Sequence, residues 1–165
     1  MPQTLETVRA RLIESLPRLR RFARTITRHV HDADDLVQLA IERALQRHAQ
    51  WDGESKFESW MFGIMRNAWI DEARSRKRQS QVLVPEEAGE HVGDRGLEPQ
   101  EAAWSVQAAL ERLPEEQRLV IGLVLVEGLA YKEAAHVLDI PIGTVMSRLA
   151  RGREALQALL KAKHP

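Results

Sequence analysis

Residues 129–157 read LAYKEAAHVLDIPIGTVMSRLARGREALQ, and the fold is decided here. The apolar spacing predicts a short helix over 131–138, a turn over 139–143 and a long helix over 144–160. A short helix, a tight turn and a second helix is the spacing of a helix-turn-helix. Ala134 is small where the two helices would cross, and Val137 and Leu138 are placed to pack beneath the turn. Pro141 cannot continue a helix, and Gly143 is expected to take the turn's unusual backbone. Val145 and Leu149 lie four apart and would share the buried face. Thr144, Ser147, Arg148 and Arg151 then point outward. Small hydroxyls and arginines at the start of a helix suit groove and phosphate contact. A plain helical hairpin with a solvated basic face would carry the same arginines. The coincidence of small residue, turn and arginines favours DNA.

The rest of the chain also reads as helix, and strand-like alternation is absent. Leu12, Leu16, Leu19, Phe22 and Ile26 predict a first helix over 4–29, which Pro17 is expected to kink or divide. Asp32 suits the N-cap of a second helix over 33–48. Trp51-Asp52-Gly53 breaks the pattern, and a third helix is predicted over 57–78. The 23 residues 79–101 have no helical period and cluster Gly, Pro and acids. They read as a flexible acidic linker whose full extension would reach about 75 Å. Further helices follow at 102–112 and from Pro114, a suitable first helical residue, to about Glu127, where Gly128 stops the run. The expected fold is all-α. Two small helical domains, 1–78 and 102–165, are joined by the linker 79–101, and the C-terminal one is a helix-turn-helix.

Charge supports this division. The net formal charge is zero, yet residues 8–78 carry 15 Lys and Arg against 10 acids, and 79–101 carry one Arg against six acids. A basic block followed by an acidic connector admits a nucleic-acid partner that the total would hide. The absence of cysteine excludes disulfides and thiolate metal sites and fits a reducing cytoplasm. No run approaches the roughly 18 apolar residues of a membrane span, and the N-terminus lacks a signal-peptide pattern. The six histidines form no metal spacing with carboxylates. No phosphate loop, nucleophile elbow or catalytic acid pair is evident, so neither an enzyme nor a cofactor is expected.

IPIGTVMSRLARGREAL resembles the promoter-reading helix of the extracytoplasmic-function (ECF) class of bacterial RNA polymerase sigma factors. LERLPEEQRLVIGLVLVEGLAYKEAAHVL is similar to that family's C-terminal domain. Far upstream, HDADDLVQLAIERALQ resembles its polymerase-binding helix, and FESWMFGIMRNAWIDEARSRKR its strand-opening segment. Order, spacing and linker agree over about residues 8–78 and 102–160.

The resemblance implies an N-terminal domain that binds the polymerase β′ coiled coil and the promoter −10 element. It implies a C-terminal domain that reads the −35 element and touches the β flap. Asp35, Leu36, Gln38 and Glu42 fall on the family's polymerase-facing surface. Acids near the start of a helix are also what a solvated helix end would carry. In the strand-opening segment, aromatics could stack on bases, but Trp60 and Trp69 lie near helical spacing and read as core. Arg66 and Asn67 fall where the family forms a pocket for a flipped base, and an amide suits a base edge. Arg74, Arg76, Lys77 and Arg78 would follow phosphates. In the recognition helix Thr144, Met146, Ser147, Arg148, Ala150 and Arg151 are the candidate contacts. Met146 stands where the family often has a basic residue, so apolar reading by Met146 and Ala150 is expected, with polar contacts from Ser147 and Arg151.

An anti-sigma protein covering both domains is a further implied partner, and no membrane insertion is implied. Two other readings remain open from the sequence. One is a two-domain regulator that binds DNA without joining polymerase; it leaves ADDLVQ and MRNAWIDEARSRKR unexplained. The other is a sigma mimic that binds an inhibitor and not DNA; the basic residues Arg66, Arg74, Arg76, Lys77, Arg78, Arg148 and Arg151 oppose it.

Overall fold

The computed structural model describes residues 2–82 and 101–163. Seven α-helices are present among them, with no strand: α1 (Leu5–Ile26), α2 (Val30–Gln46), α3 (Phe57–Val82), α4 (Glu101–Arg112), α5 (Glu115–Ile121), α6 (Tyr131–Leu138) and α7 (Ile142–Lys163). A 3-10 turn, His48–Gln50, follows α2, and a π turn, Gly122–Val126, continues α5.

Helices α1 to α3 form the N-terminal domain. The Thr4 hydroxyl accepts from the Thr7 N–H at 3.2 Å and caps α1. Pro17 lies inside α1 on its exposed face and does not divide it. The helix tolerates the missing donor because the buried stripe Val8, Leu12, Leu19, Phe22 and Ile26 holds both halves to one core. Helix α2 begins three residues earlier than its sequence suggests. Its N-cap is His29, without a side-chain cap bond, and Asp32 sits in the first turn with its carboxylate on Arg76 of α3. Between α2 and α3, Asp52 Oδ1 accepts the N–H groups of Glu54 and Ser55 at 2.8 and 2.9 Å, and Gly53 takes φ 81°. This side-chain turn replaces a helical one and launches α3 at a fixed angle. Phe57, Met61, Met65 and Ala68 bury one stripe of α3. Phe62 meets Phe22 of α1 with ring centroids 4.8 Å apart. Trp60 and Trp69 are half-buried against the core. Helix α3 runs to Val82, so its last turn covers residues assigned from sequence to the linker. The remainder of that linker, 83–100, lies outside the described residues.

Helices α4 to α7 form the C-terminal domain. Arg118 is 3% exposed and donates from Nη1 to the Leu113 carbonyl at 3.0 Å, which locks the α4–α5 joint. Burial, with Arg28 nearby, lowers its affinity for the proton. Pro114 is the N-cap of α5, one position before the first helical residue. Ala134, Val145 and Leu149 are buried where α6 and α7 cross. A Cβ on Gly152 would stand 2.7 Å from Ile121 Cδ1, so glycine sets how closely α7 approaches α5. The turn between α6 and α7 differs from the expectation in one respect. The left-handed residue is Asp139, φ 56°, at the C-cap of α6. Gly143 is already within α7. Asp tolerates that conformation better than most residues.

The two domains touch along one seam. Helix α1 lies against α5 and the π turn, and α3 lies against α6. The buried residues form one continuous cluster through both. Phe22 sits at its centre: it packs on Phe62 and would lie 3.4 Å from a Cβ on Gly122. Phe22→Ala is expected to cost about 3–5 kcal/mol of stability in urea unfolding; a loss below about 1 kcal/mol would show that this cluster is not the core.

Candidate nucleic-acid interface

Two exposed helical surfaces carry the residues singled out in the sequence. The first is the outer face of α7. Met146 is 51% exposed, Ser147, Ala150 and Arg151 are exposed, and Thr144 is half-buried. The Ser147 hydroxyl donates to the Gly143 carbonyl at 3.2 Å, and its oxygen stays open to accept. Arg148 is set apart: its Nε lies 3.7 Å from Glu116 of α5. The face exists because Val145 and Leu149 are drawn inward, leaving their neighbours on the opposite side.

The second surface is the outer side of α3. Asn67, Arg74, Lys77 and Arg78 are exposed and stand along about three turns. Arg66 is half-buried; its Nη1 donates to Asn67 Oδ1 at 3.1 Å, while its Nε is buried with no partner. Arg76 is not a free cation. It donates from Nη2 and Nη1 to the two oxygens of Asp32 at 2.8 and 3.3 Å. The fork geometry is bidentate and charge-assisted, and it ties α3 to the start of α2.

The α2 surface divides differently from its sequence reading. Asp35, Gln38 and Glu42 are exposed on one side of the helix. Leu36 is 3% exposed and belongs to the core, so its side chain is not part of a protein-facing surface. Its apolarity serves the packing of α2 on α1 and α3. Half-buried Leu39 is the apolar residue beside the acids.

Family models match both halves: Sigma-70 region 2 over residues 12–79 and Sigma-70 region 4 over residues 103–156. The ECF RNA polymerase sigma factor EcfG of Rhodopseudomonas palustris is 33% identical over 97% of this chain and 88% of its own length. SigW of Bacillus subtilis is 35% identical over 81% of this chain and 78% of its own. The chain belongs to the ECF RNA polymerase sigma factors. Among solved structures, the sigma factor RpoE in complex with the anti-sigma factor NepR, from Bartonella quintana, superposes with a TM-score of 0.76 at 31% identity. It covers 93% of this chain and 96% of that one.

In this ECF sigma factor the region 2 and region 4 surfaces are linked by contacts that the sequence does not announce. Trp69, expected in the core, donates from Nε1 to Glu115 Oε1 across the seam at 2.7 Å. Lys56 pairs with Glu133 at 3.1 Å. Glu127, whose side chain is fully buried, accepts from both Arg18 and Arg21 of α1. A glutamate before a helix-stopping Gly128 is a weak sign in itself, because such residues are normally solvated. Among the described residues no group of three or more His, Asp or Glu is placed to hold a metal. None of their helices is long and apolar enough to cross a membrane.

The Asp32–Arg76 pair makes a pH prediction. The Arg76 hydrogen bond holds the Asp32 carboxyl below its ordinary range near about 3.9. A depressed folded value contributes stability above the unfolded pKa, and this is lost as pH falls through the folded one. Arg76→Ala is expected to move the Asp32 titration, followed by carboxyl-carbon NMR, upward toward the ordinary carboxylate range. An unmoved titration would show that the pair does not persist in solution.

Proposed function

We propose that this chain is an alternative sigma factor that joins core RNA polymerase and directs it to promoters with defined −10 and −35 elements. The observation that carries the reading is the pairing, in one ECF-family chain, of an exposed recognition face on α7 with a separate basic, amide-bearing face on α3. A regulator acting on duplex DNA needs the first and has no use for the second.

The parts then have distinct tasks. Thr144, Met146, Ser147, Ala150 and Arg151 enter the major groove at the −35 element. Met146 meets thymine methyl groups, and Arg151 and Ser147 supply polar contacts. Arg148 joins them once freed from Glu116. On α3, Asn67 offers donor and acceptor to a base extruded from the non-template strand. Arg66, Arg74, Lys77 and Arg78 hold its phosphates, and Arg76 contributes on release from Asp32. Unstacking costs a few kcal/mol per base. Binding of the extruded strand offsets it, with no ATP or metal in this chain's own chemistry. Asp35, Gln38 and Glu42 form the acidic face for the polymerase β′ coiled coil, and the C-terminal domain meets the β flap. The protein acts in the cytoplasm, where polymerase is. RpoE of Bartonella is bound by the anti-sigma factor NepR in the structure that this fold superposes on. A corresponding inhibitor is the expected further partner here.

Run-off transcription with purified core polymerase tests this reading. The wild-type chain should give discrete start sites on genomic fragments that core alone does not use. Asp35→Arg, an exposed substitution, should abolish both the product and co-purification with core. Absence of product from the wild type, or full activity of the variant, would exclude the reading or the contact.

A further inference from the structure

Met146 is 51% exposed on the outer face of α7, whereas Met61 and Met65 are 0% exposed in the core stripe of α3. Met1 lies outside the described residues. The chain has no cysteine, so no thiol of its own competes for an oxidant. Among the described residues the Met146 thioether is therefore the sulfur open to solvent. A thioether is polarizable and takes up oxygen where an oxidant can reach it, and packing denies that access to Met61 and Met65.

Met146 also stands where oxidation has a consequence. Ile142, Met146 and Ala150 recur every four residues and all are exposed, Ile142 at 47%. The spacing sets them along one flank of α7, beside Ser147 and Arg151 of the face assigned above to the major groove. Val145 and Leu149 are buried and hold this stripe outward. Such a stripe meets the C5-methyl groups of thymine and offers nothing to a hydrogen-bonding base edge.

The chemistry needs one co-reactant, a hydroperoxide. One of its oxygen atoms passes to Met146 Sδ. The O–O bond breaks as the S–O bond forms, and the thioether loses two electrons to the peroxide. The proton on the transferred oxygen moves to the leaving oxygen, which departs as water or an alcohol. The sulfoxide is polar but uncharged, so the charge that draws Arg151 and its neighbours to phosphates is unchanged. Its oxygen accepts hydrogen bonds and cannot donate them. Against a thymine methyl it is a polar group withdrawn from water without a partner, which costs about tenfold or more in affinity. Guanine O6 and N7 and thymine O4 are acceptors as well, so they give it no partner either. The loss falls on sequence reading rather than on general attraction to DNA.

We propose that Met146 is an oxidation site that switches promoter reading: a hydroperoxide converts it to the sulfoxide, recognition of the −35 element falls, and methionine sulfoxide reductase restores it. The proposal rests on the sigma-factor reading for its consequence, and on the exposure of one thioether for its chemistry.

The test treats the purified full-length chain with hydrogen peroxide, removes the peroxide with catalase and assembles the chain with untreated core polymerase. Peptide mass spectrometry of the treated chain should find one added oxygen at Met146 and none at Met61 or Met65. Affinity of the assembled complex for a promoter mapped by its start site should fall about tenfold or more. Methionine sulfoxide reductases of both epimer specificities should restore it. Uracil in place of the −35 thymines removes their methyl groups alone. The untreated complex should then lose about fourfold in affinity per contacted methyl, and the oxidised complex should be indifferent. Met146→Leu cannot take up the oxygen, so its affinity before and after peroxide should be equal, whatever its starting value. Met146 left unmodified while free methionine is oxidised, or modified with no loss of affinity, would overturn the switch. So would an untreated complex indifferent to uracil, or an equal loss in the treated Met146→Leu chain. Oxidation is read on the chain alone, and a failure of the sigma-factor reading shows in the untreated chain, so the two are told apart.

Discussion

The carboxylate of Glu127, buried between Arg18 and Arg21, is the contact on which the relation of the two domains depends. The apolar stripes of the two domains meet in one continuous cluster across the seam. Hydrophobic contact is roughly proportional to area and has little direction. An ion pair has direction, because a misplaced partner leaves the buried carboxylate poorly compensated. The glutamate therefore selects one packing from many. Gly122 lets α5 come close to α1, and the π turn that follows α5 delivers the carboxylate.

That constraint organises the functional surfaces. The residues proposed to meet DNA lie on α7 and α3, on different domains. Part of the set is engaged within its own domain, Arg148 with Glu116 and Arg76 with Asp32. Met146, Ser147 and Arg151 of α7, and Asn67, Arg74 and Lys77 of α3, remain on the surface. The engaged residues are all arginines held by carboxylates, which is the exchange a phosphate backbone can reverse.

Much of this was legible in the amino-acid order. The helix-turn-helix could be read because Ala134, Val145 and Leu149 mark a buried face and because proline and glycine punctuate it; Asp139 rather than Gly143 takes the strained turn position, since an Asx side chain tolerates the left-handed region. Family motifs located the α2 and α3 segments. They carried Leu36 along with its exposed neighbours, although its apolar spacing with Val37 and Ala40 marks the core. Asp32 looked like a cap because caps are local, whereas its partner Arg76 lies 44 residues away. The same limit hid Glu127: its partners lie more than 100 residues earlier, and no local pattern signals a glutamate destined for burial. Trp69 shows both sides, half-buried as its spacing implies yet using its indole N–H across the seam.

The central claim is that this chain takes polymerase to a promoter and exposes single-stranded DNA there. Permanganate reactivity of thymines measures that exposure directly. On a promoter mapped by its start site, polymerase core with this chain should make thymines near the −10 element reactive, and core alone should not. A promoter that is bound by the pair yet stays unreactive at every thymine under transcription conditions would contradict the account.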